Sequence, residues 1–230
     1  MSLILSIETS TNGCSAALHS EGSLISNSEL FAERSSAEML TTLIKHVLFI
    51  SKKTFDDLDA LAISKGPGSY TGLRIGASTA KGICFAKDIP LISVNSLDIM
   101  VDQIPKFYNG LICPMLDARR MEVYCKVVNH LGQVYMPTSA KIVDESAFEE
   151  YLLEHKVLFC GEGADKCKQV IHNANALFLG KEVRPKAADM GKMAFEKVKT
   201  LDYENLSEFE PFYLKEFVGT IPTKNKKVTA

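Results

Sequence analysis

The feature that most constrains this chain is a pattern of elements that occurs twice. In the first half, apolar or alternating runs at Leu3–Ile7, Cys14–His19 and Leu24–Phe31 read as three strands joined by tight turns. Ser35-Ser36-Ala37-Glu38 has the form of a capping box, with Ser35 as N-cap and Glu38 reaching back. Met39, Leu40, Leu43, Ile44, Val47 and Leu48 then recur at helical spacing. A strand over 60–64, the run Gly66-Pro67-Gly68-Ser69-Tyr70-Thr71-Gly72, a helix over 72–86, a strand over 90–94 and a short helix from Ser96 follow.

After Pro105 the order restarts. Strands are expected at 111–116, ending in Asp117 as the first strand ends in Glu8, then at 122–128 and in pieces at 133–135 and 141–143. A helix over 148–155, a strand over 157–160, the turn Gly161-Glu162-Gly163-Ala164 and helices over 165–174 and 190–201 complete the second half. Such an arrangement implies a duplicated α/β unit, each copy a mixed sheet with flanking helices. The expected division is 1–103 and 104–218, with 219–230 as a flexible tail.

The candidate chemistry lies at the strand ends. Glu8-Thr9-Ser10-Thr11 closes the first strand, where a carboxylate and hydroxyls can orient a phosphate or satisfy a turn. In the loop, Gly66, Pro67, Gly68, Ser69, Thr71 and Gly72 let backbone amides approach an anion ahead of a helix N-terminus. The same glycines would also serve a plain strand-to-helix turn. No GK[ST] follows, so this is not a Walker loop. Asp117, Gly161 and Gly163 hold the corresponding positions in the second half. Gly76 and Ala80 share one face of a helix rich in small residues, which suits close packing on the chain's own sheet or on another chain.

Other classes are poorly supported. With 46% hydrophobic residues among 230 and a formal net charge of -2, there is no basic excess for a free-standing nucleic-acid binder. Six cysteines form no CxxC, and five histidines include no HxxxH pair, so no metal site is expected. There is no GxSxG elbow and no HExxH. The polar N-terminus and the lack of a membrane-length apolar run make a soluble, cytoplasmic protein the expectation.

ILSIETST, ALAISKGPGSYTGLRIGASTAKGI, PLISVNSL, DARRMEVY, GEGA and FEPFYLKEFV, in this order, resemble the TsaB (YeaZ) family. The resemblance implies a duplicated actin-like fold of the Hsp70/sugar-kinase (ASKHA) superfamily, related to ribonuclease H. It implies a non-catalytic scaffold for TsaD, which transfers threonylcarbamoyl to the adenosine beside the anticodon of tRNAs reading ANN codons. TsaE is the associated ATPase. tRNA is met only through the complex, and alone the chain forms a homodimer on the same surface. No cofactor is required, with weak ATP or ADP binding at most, mainly in the complex with TsaD. Glu8, Thr9, Ser10, Gly66, Pro67, Gly68, Ser69, Thr71, Gly72, Asp117, Gly161 and Gly163 then become degenerate nucleotide loops. Met39, Leu43, Val47, Arg74, Gly76, Ala80 and Ile83 become the partner interface.

TsaD's metal-binding histidine pair has no counterpart here, where Ser35, Ser36 and Met39 occupy the early turns of the first helix and His46 comes late. The old glycoprotease label fails for the same reason. Met121 departs from the family's frequent Gly after the DAR turn. The rival expectation is an active small kinase or ATPase of the same superfamily.

Overall fold

The structure is a computed structural model that describes residues 2–31, 36–180 and 182–215. The expected capping box at Ser35 and Glu38 and the expected tail lie outside the described residues and side chains.

Two five-stranded sheets repeat one topology. The first comprises β1 (Leu3–Glu8), β2 (Cys14–Ser20), β3 (Ser23–Leu30), β4 (Ala60–Gly66) and β5 (Leu91–Asn95), in the order β3-β2-β1-β4-β5. The second comprises β6 (Leu111–Asp117), β7 (Glu122–Asn129), β8 (Val134–Ile142), β9 (Val157–Cys160) and β10 (Ala176–Leu179), in the order β8-β7-β6-β9-β10 when read from the matching edge. In each, the first three strands are an antiparallel meander and the last two run parallel to the central one.

β1 reads as a continuous apolar run because both of its faces are covered. Leu3, Leu5 and Ile7 enter one core with α1 (Ser36–Ile50) and α2 (Tyr70–Lys87), while Ile4 on the opposite face packs near Met190 and Ala194. α1 buries Leu40, Ile44, Val47 and Leu48 on this sheet. Each such side chain stabilises the fold by roughly 1.5–3 kcal/mol relative to exposure.

Two helices cross between the halves. α3 (Ser96–Asp102) sends Ile99 toward the first sheet and Leu97 and Met100 toward Ile112, Leu116 and Cys160 of the second. α6 (Gly191–Lys199), placed by sequence order with the second unit, packs through Ala194 on Ile4, Ala60 and Ile92 of the first. A buried histidine fixes this return. His19 Nδ1 lies 3.1 Å from Ser6 Oγ and its Nε2 lies 3.1 Å from the Ala188 carbonyl oxygen. An imidazole that donates from Nε2 and accepts the Ser6 hydroxyl proton at Nδ1 satisfies both. Burial lowers the His19 pKa, keeping the neutral ring.

The second half departs from expectation in three places. β8 is one strand rather than two pieces, since an edge strand tolerates Pro137. α4 is a single turn, Glu149–Leu152, and α5 ends at Cys167. Sequence reading extends that helix to residue 174 and expects no strand after it, whereas the chain forms β10 at Ala176–Leu179.

Candidate functional site

Glu8 ends β1 at the centre of the first sheet and is 1% exposed. Its Oε1 accepts the Ser10 N–H at 2.5 Å. Burial raises its pKa to about 7, outweighing the hydrogen bonds at Ser10, and Glu162 adds a smaller repulsion. The carboxyl therefore titrates near neutrality inside the protein.

The glycine loop lies directly against this strand end. Ser69 N–H donates to the Ser10 carbonyl oxygen at 2.6 Å, and Ser69 Oγ accepts the Gly72 N–H at 3.3 Å as the N-cap of α2. Gly72 is required because a Cβ there would overlap the Thr9 carbonyl oxygen, and a Cβ on Gly76 would overlap Thr9 Oγ1. Thr9 Oγ1 is buried without a hydrogen-bond partner among the described residues. The Ser69 and Gly72 amides, which could have cradled a phosphate, thus serve the chain's own backbone and cap. These two amides are engaged within the chain, and no chemical step is routed through a phosphate here.

The second half repeats the device with a different outcome. Gly161 and Gly163 lean on Met115 and Leu116 at the end of β6. Asp117, at the position matching Glu8, is half-exposed and paired with Lys166 rather than buried. Glu162 is coupled electrostatically to both Glu8 and Asp117, and burial raises its own pKa. Sequence reading passed over Glu162 in favour of its flanking glycines. Its signal was an acidic residue held between two glycines at a strand end.

A strap formed by residues 204–215 crosses the loop. Phe212 N–H donates to the Lys65 carbonyl oxygen at 2.7 Å, and Tyr213 lies 4.8 Å from the Tyr70 ring. Lys81 Nζ donates to the Ser207 and Phe209 carbonyl oxygens at 3.1 and 3.2 Å. The strap borders a cavity of about 270 Å³ lined by Lys65, Glu204, Asn205, Glu208, Phe209, Glu210 and Phe212. Neither Glu8–Ser10 nor Gly66–Gly72 lines it.

The expected partner residues differ in burial within the single chain. Leu43, Val47 and Ala80 are buried in the core of their own sheet, and Gly76 is filled by Thr9. Met39 and Ile83 are half-buried against the same core. Arg74 is exposed, 5.3 Å above the Tyr70 ring. The outward side of α1 instead carries Thr42, His46 and Phe49, and that of α2 carries Ser78, Gly82 and Phe85. Phe49 and Phe85 are 80% and 82% exposed.

The family model of TsaD, tRNA N6-adenosine threonylcarbamoyltransferase, matches residues 29–214. A tRNA threonylcarbamoyladenosine biosynthesis protein TsaB from Bacillus subtilis is 29% identical over 228 residues, covering 92% of this chain and 98% of that protein. The Haemophilus influenzae protein of the same name is 35% identical over 122 residues, and the match spans about half of each chain, 53% and 51%. The solved YeaZ from Pseudomonas aeruginosa superposes with a TM-score of 0.77 at 24% identity, over 93% of this chain and 100% of that one. These neighbours and the repeated sheet topology give a duplicated actin-like α/β fold of the ASKHA type. The chain belongs to the TsaB (YeaZ) family.

Proposed function

We propose that this chain is a non-catalytic accessory subunit in the biosynthesis of threonylcarbamoyladenosine in tRNA. It would assemble with a TsaD-type transferase, with TsaE as a further component, for modification of the adenosine beside the anticodon of tRNAs reading ANN codons. The observation that carries this reading is the closure of the glycine loop. Ser69 and Gly72 spend their amides on Ser10 and on the helix cap, which supports a loop that places α2 over one that holds a phosphate. Family membership supports the pathway; in this reading the role itself would need no nucleotide.

The docking face in this proposal is the outward side of α1 and α2, centred on Phe49 and Phe85. Two exposed phenylalanines on neighbouring helices are apolar area that association would cover. Alone, the chain would pair with a second copy through the same face.

Native mass spectrometry of the chain, alone and mixed with TsaD from the same organism, tests this. The expected result is a homodimer that exchanges into a heterodimer. A chain that ignores TsaD but binds and turns over ATP would overturn the reading in favour of a small nucleotide enzyme.

A further inference from the structure

The connection between β6 and β7 carries a feature that folding alone does not ask for. Arg119 (φ 69) and Arg120 (φ 49) are consecutive residues in the left-handed region, which side chains of this size disfavour and glycine accepts. Both are exposed. The tip is held from beneath by Lys166 of α5 (Glu162–Cys167), whose Nζ donates to the Arg120 and Glu122 carbonyl oxygens at 2.6 and 2.7 Å and also pairs with Asp117. Asp117 Oδ1 further accepts the Arg119 N–H at 2.8 Å. The hairpin tip is thus rigid, strained and braced by a lysine.

Its charge is unbalanced. Asp117 is paired with Lys166, Glu122 with Lys215, and Glu162 faces Arg184 and Lys166. Each of these three acids already has a cation. Among the described residues, Arg119 and Arg120 have no ion pair. A chain with net charge -2 therefore presents two uncompensated guanidinium groups side by side on a fixed loop. Guanidinium is the side chain whose donor fork matches phosphate oxygens in pairs.

We infer that the Arg119–Arg120 tip is a contact for the phosphate backbone of RNA. The inference rests on the accessory-subunit reading above for the identity of that RNA as tRNA. It assigns the chain a part in holding the RNA, not only in holding its partner. Two phosphate contacts make binding by the chain alone weak but measurable at low salt, and the effect is expected to be larger in the assembled complex.

The test compares the wild-type chain with Arg119→Asn/Arg120→Gly, which removes both guanidinium groups while supplying residues that accept the left-handed backbone. Binding of an unmodified tRNA transcript is measured by fluorescence anisotropy across a salt series, for the chain alone and mixed with TsaD. Lys52→Gly, which removes one exposed charge from another left-handed position (φ 54), is compared with Arg120→Gly as a matched single change. The expected result is tRNA affinity roughly fivefold or more weaker for the double variant, with the log–log salt slope shallower by about 1 or more, and no such change for Lys52→Gly. The melting temperature should not fall. Unchanged affinity and slope in both settings would overturn the inference. Loss of TsaD assembly by the variant with tRNA affinity of the chain alone unchanged would also overturn it, and would make the tip a contact for an acidic protein surface. Failure of the wild-type chain to join TsaD would count against the accessory reading instead, leaving the salt series on the chain alone to decide the RNA contact.

Discussion

Thr9 Oγ1 occupies the space where a side chain at position 76 would begin. A Cβ on Gly76 would overlap that oxygen and stand 3.4 Å from Ile63 Cδ1. The small residue in α2 therefore serves contact with β1, inside the chain. Gly76→Ala should destabilise the protein by about 1–3 kcal/mol through overpacking. Thr9→Ala removes the obstructing hydroxyl, which has no hydrogen-bond partner among the described residues. In a double-mutant cycle by urea denaturation, Thr9→Ala should recover a large part of the Gly76→Ala loss. Strict additivity would mean that the two residues do not share this space.

The same relationship separates folding from assembly. Ala80 is fully buried in the first core, so Ala80→Asp places an unpaired charge there and should cost about 3 kcal/mol or more. Phe49→Glu and Phe85→Glu change exposed side chains and should leave stability within about 0.5 kcal/mol. Size-exclusion chromatography with light scattering should find these two monomeric and unable to bind TsaD, with ordinary melting curves. Dimers of normal affinity from both would remove α1 and α2 as the docking face.

Much of the fold was legible in the sequence, because alternation and turn residues mark each antiparallel meander and glycine marks each strand-to-helix turn. β10 was not. Val170 and Ile171 continue an apparent helical stripe past Cys167, but the Asn173 side chain accepts the Asn175 N–H and turns the chain into a short strand. The direction of α1 and α2 was also hidden. Met39, Leu43 and Val47 repeat with one period whether the stripe meets its own sheet or a partner, and only the third dimension distinguishes them. The burial of Glu8 beside the exposure of Asp117 was equally invisible, since both are acids at the ends of matching strands.

Glu8 and His19 should give opposite pH dependences. The Glu8 pKa is raised from its ordinary value to about 7 by burial, so the native state holds a proton that the unfolded chain has released. Stability contributed by the protonated carboxyl is complete below the unfolded pKa and is lost as pH rises through about 7. At about 1.4 kcal/mol per unit, the loss is about 3 kcal/mol at most. Glu8→Gln retains the acceptor for Ser10 and should be more stable than the wild type at pH 8, the difference shrinking toward pH 4.5. Urea midpoints across this range measure it. Equal midpoints at pH 8 would place Glu8 in contact with water.

His19 has the reverse sign. Its pKa is lowered, first by burial, so the unfolded chain gains the proton before the native state does. The stability of the neutral ring is present above the unfolded value and is lost as pH falls through the folded one. A replacement that cannot titrate, His19→Gln, should lower stability at pH 7.5 by breaking the Ser6 and Ala188 contacts, yet show a smaller further loss on acidification than the wild type. An imidazole titration by NMR in the native protein, with a midpoint at or above the ordinary histidine value, would contradict the buried neutral ring that joins β2 to the segment before α6.

The strap offers the last test. Lys81 holds it through two carbonyl oxygens, and Phe209 is buried in the first core at 6% exposure. Lys81→Met keeps the aliphatic stem and removes the donors, for a loss of about 1–2 kcal/mol. Phe209→Ala removes a buried ring and should cost about 3 kcal/mol or more. If the strap opens as a unit, both variants should raise amide hydrogen exchange at Phe212, whose N–H is bonded to Lys65, while leaving β1 and β4 protected. Exchange that rises equally in the strands would show that the strap and the first sheet unfold together. The strap would then be part of the domain core and not a separable cover over the glycine loop.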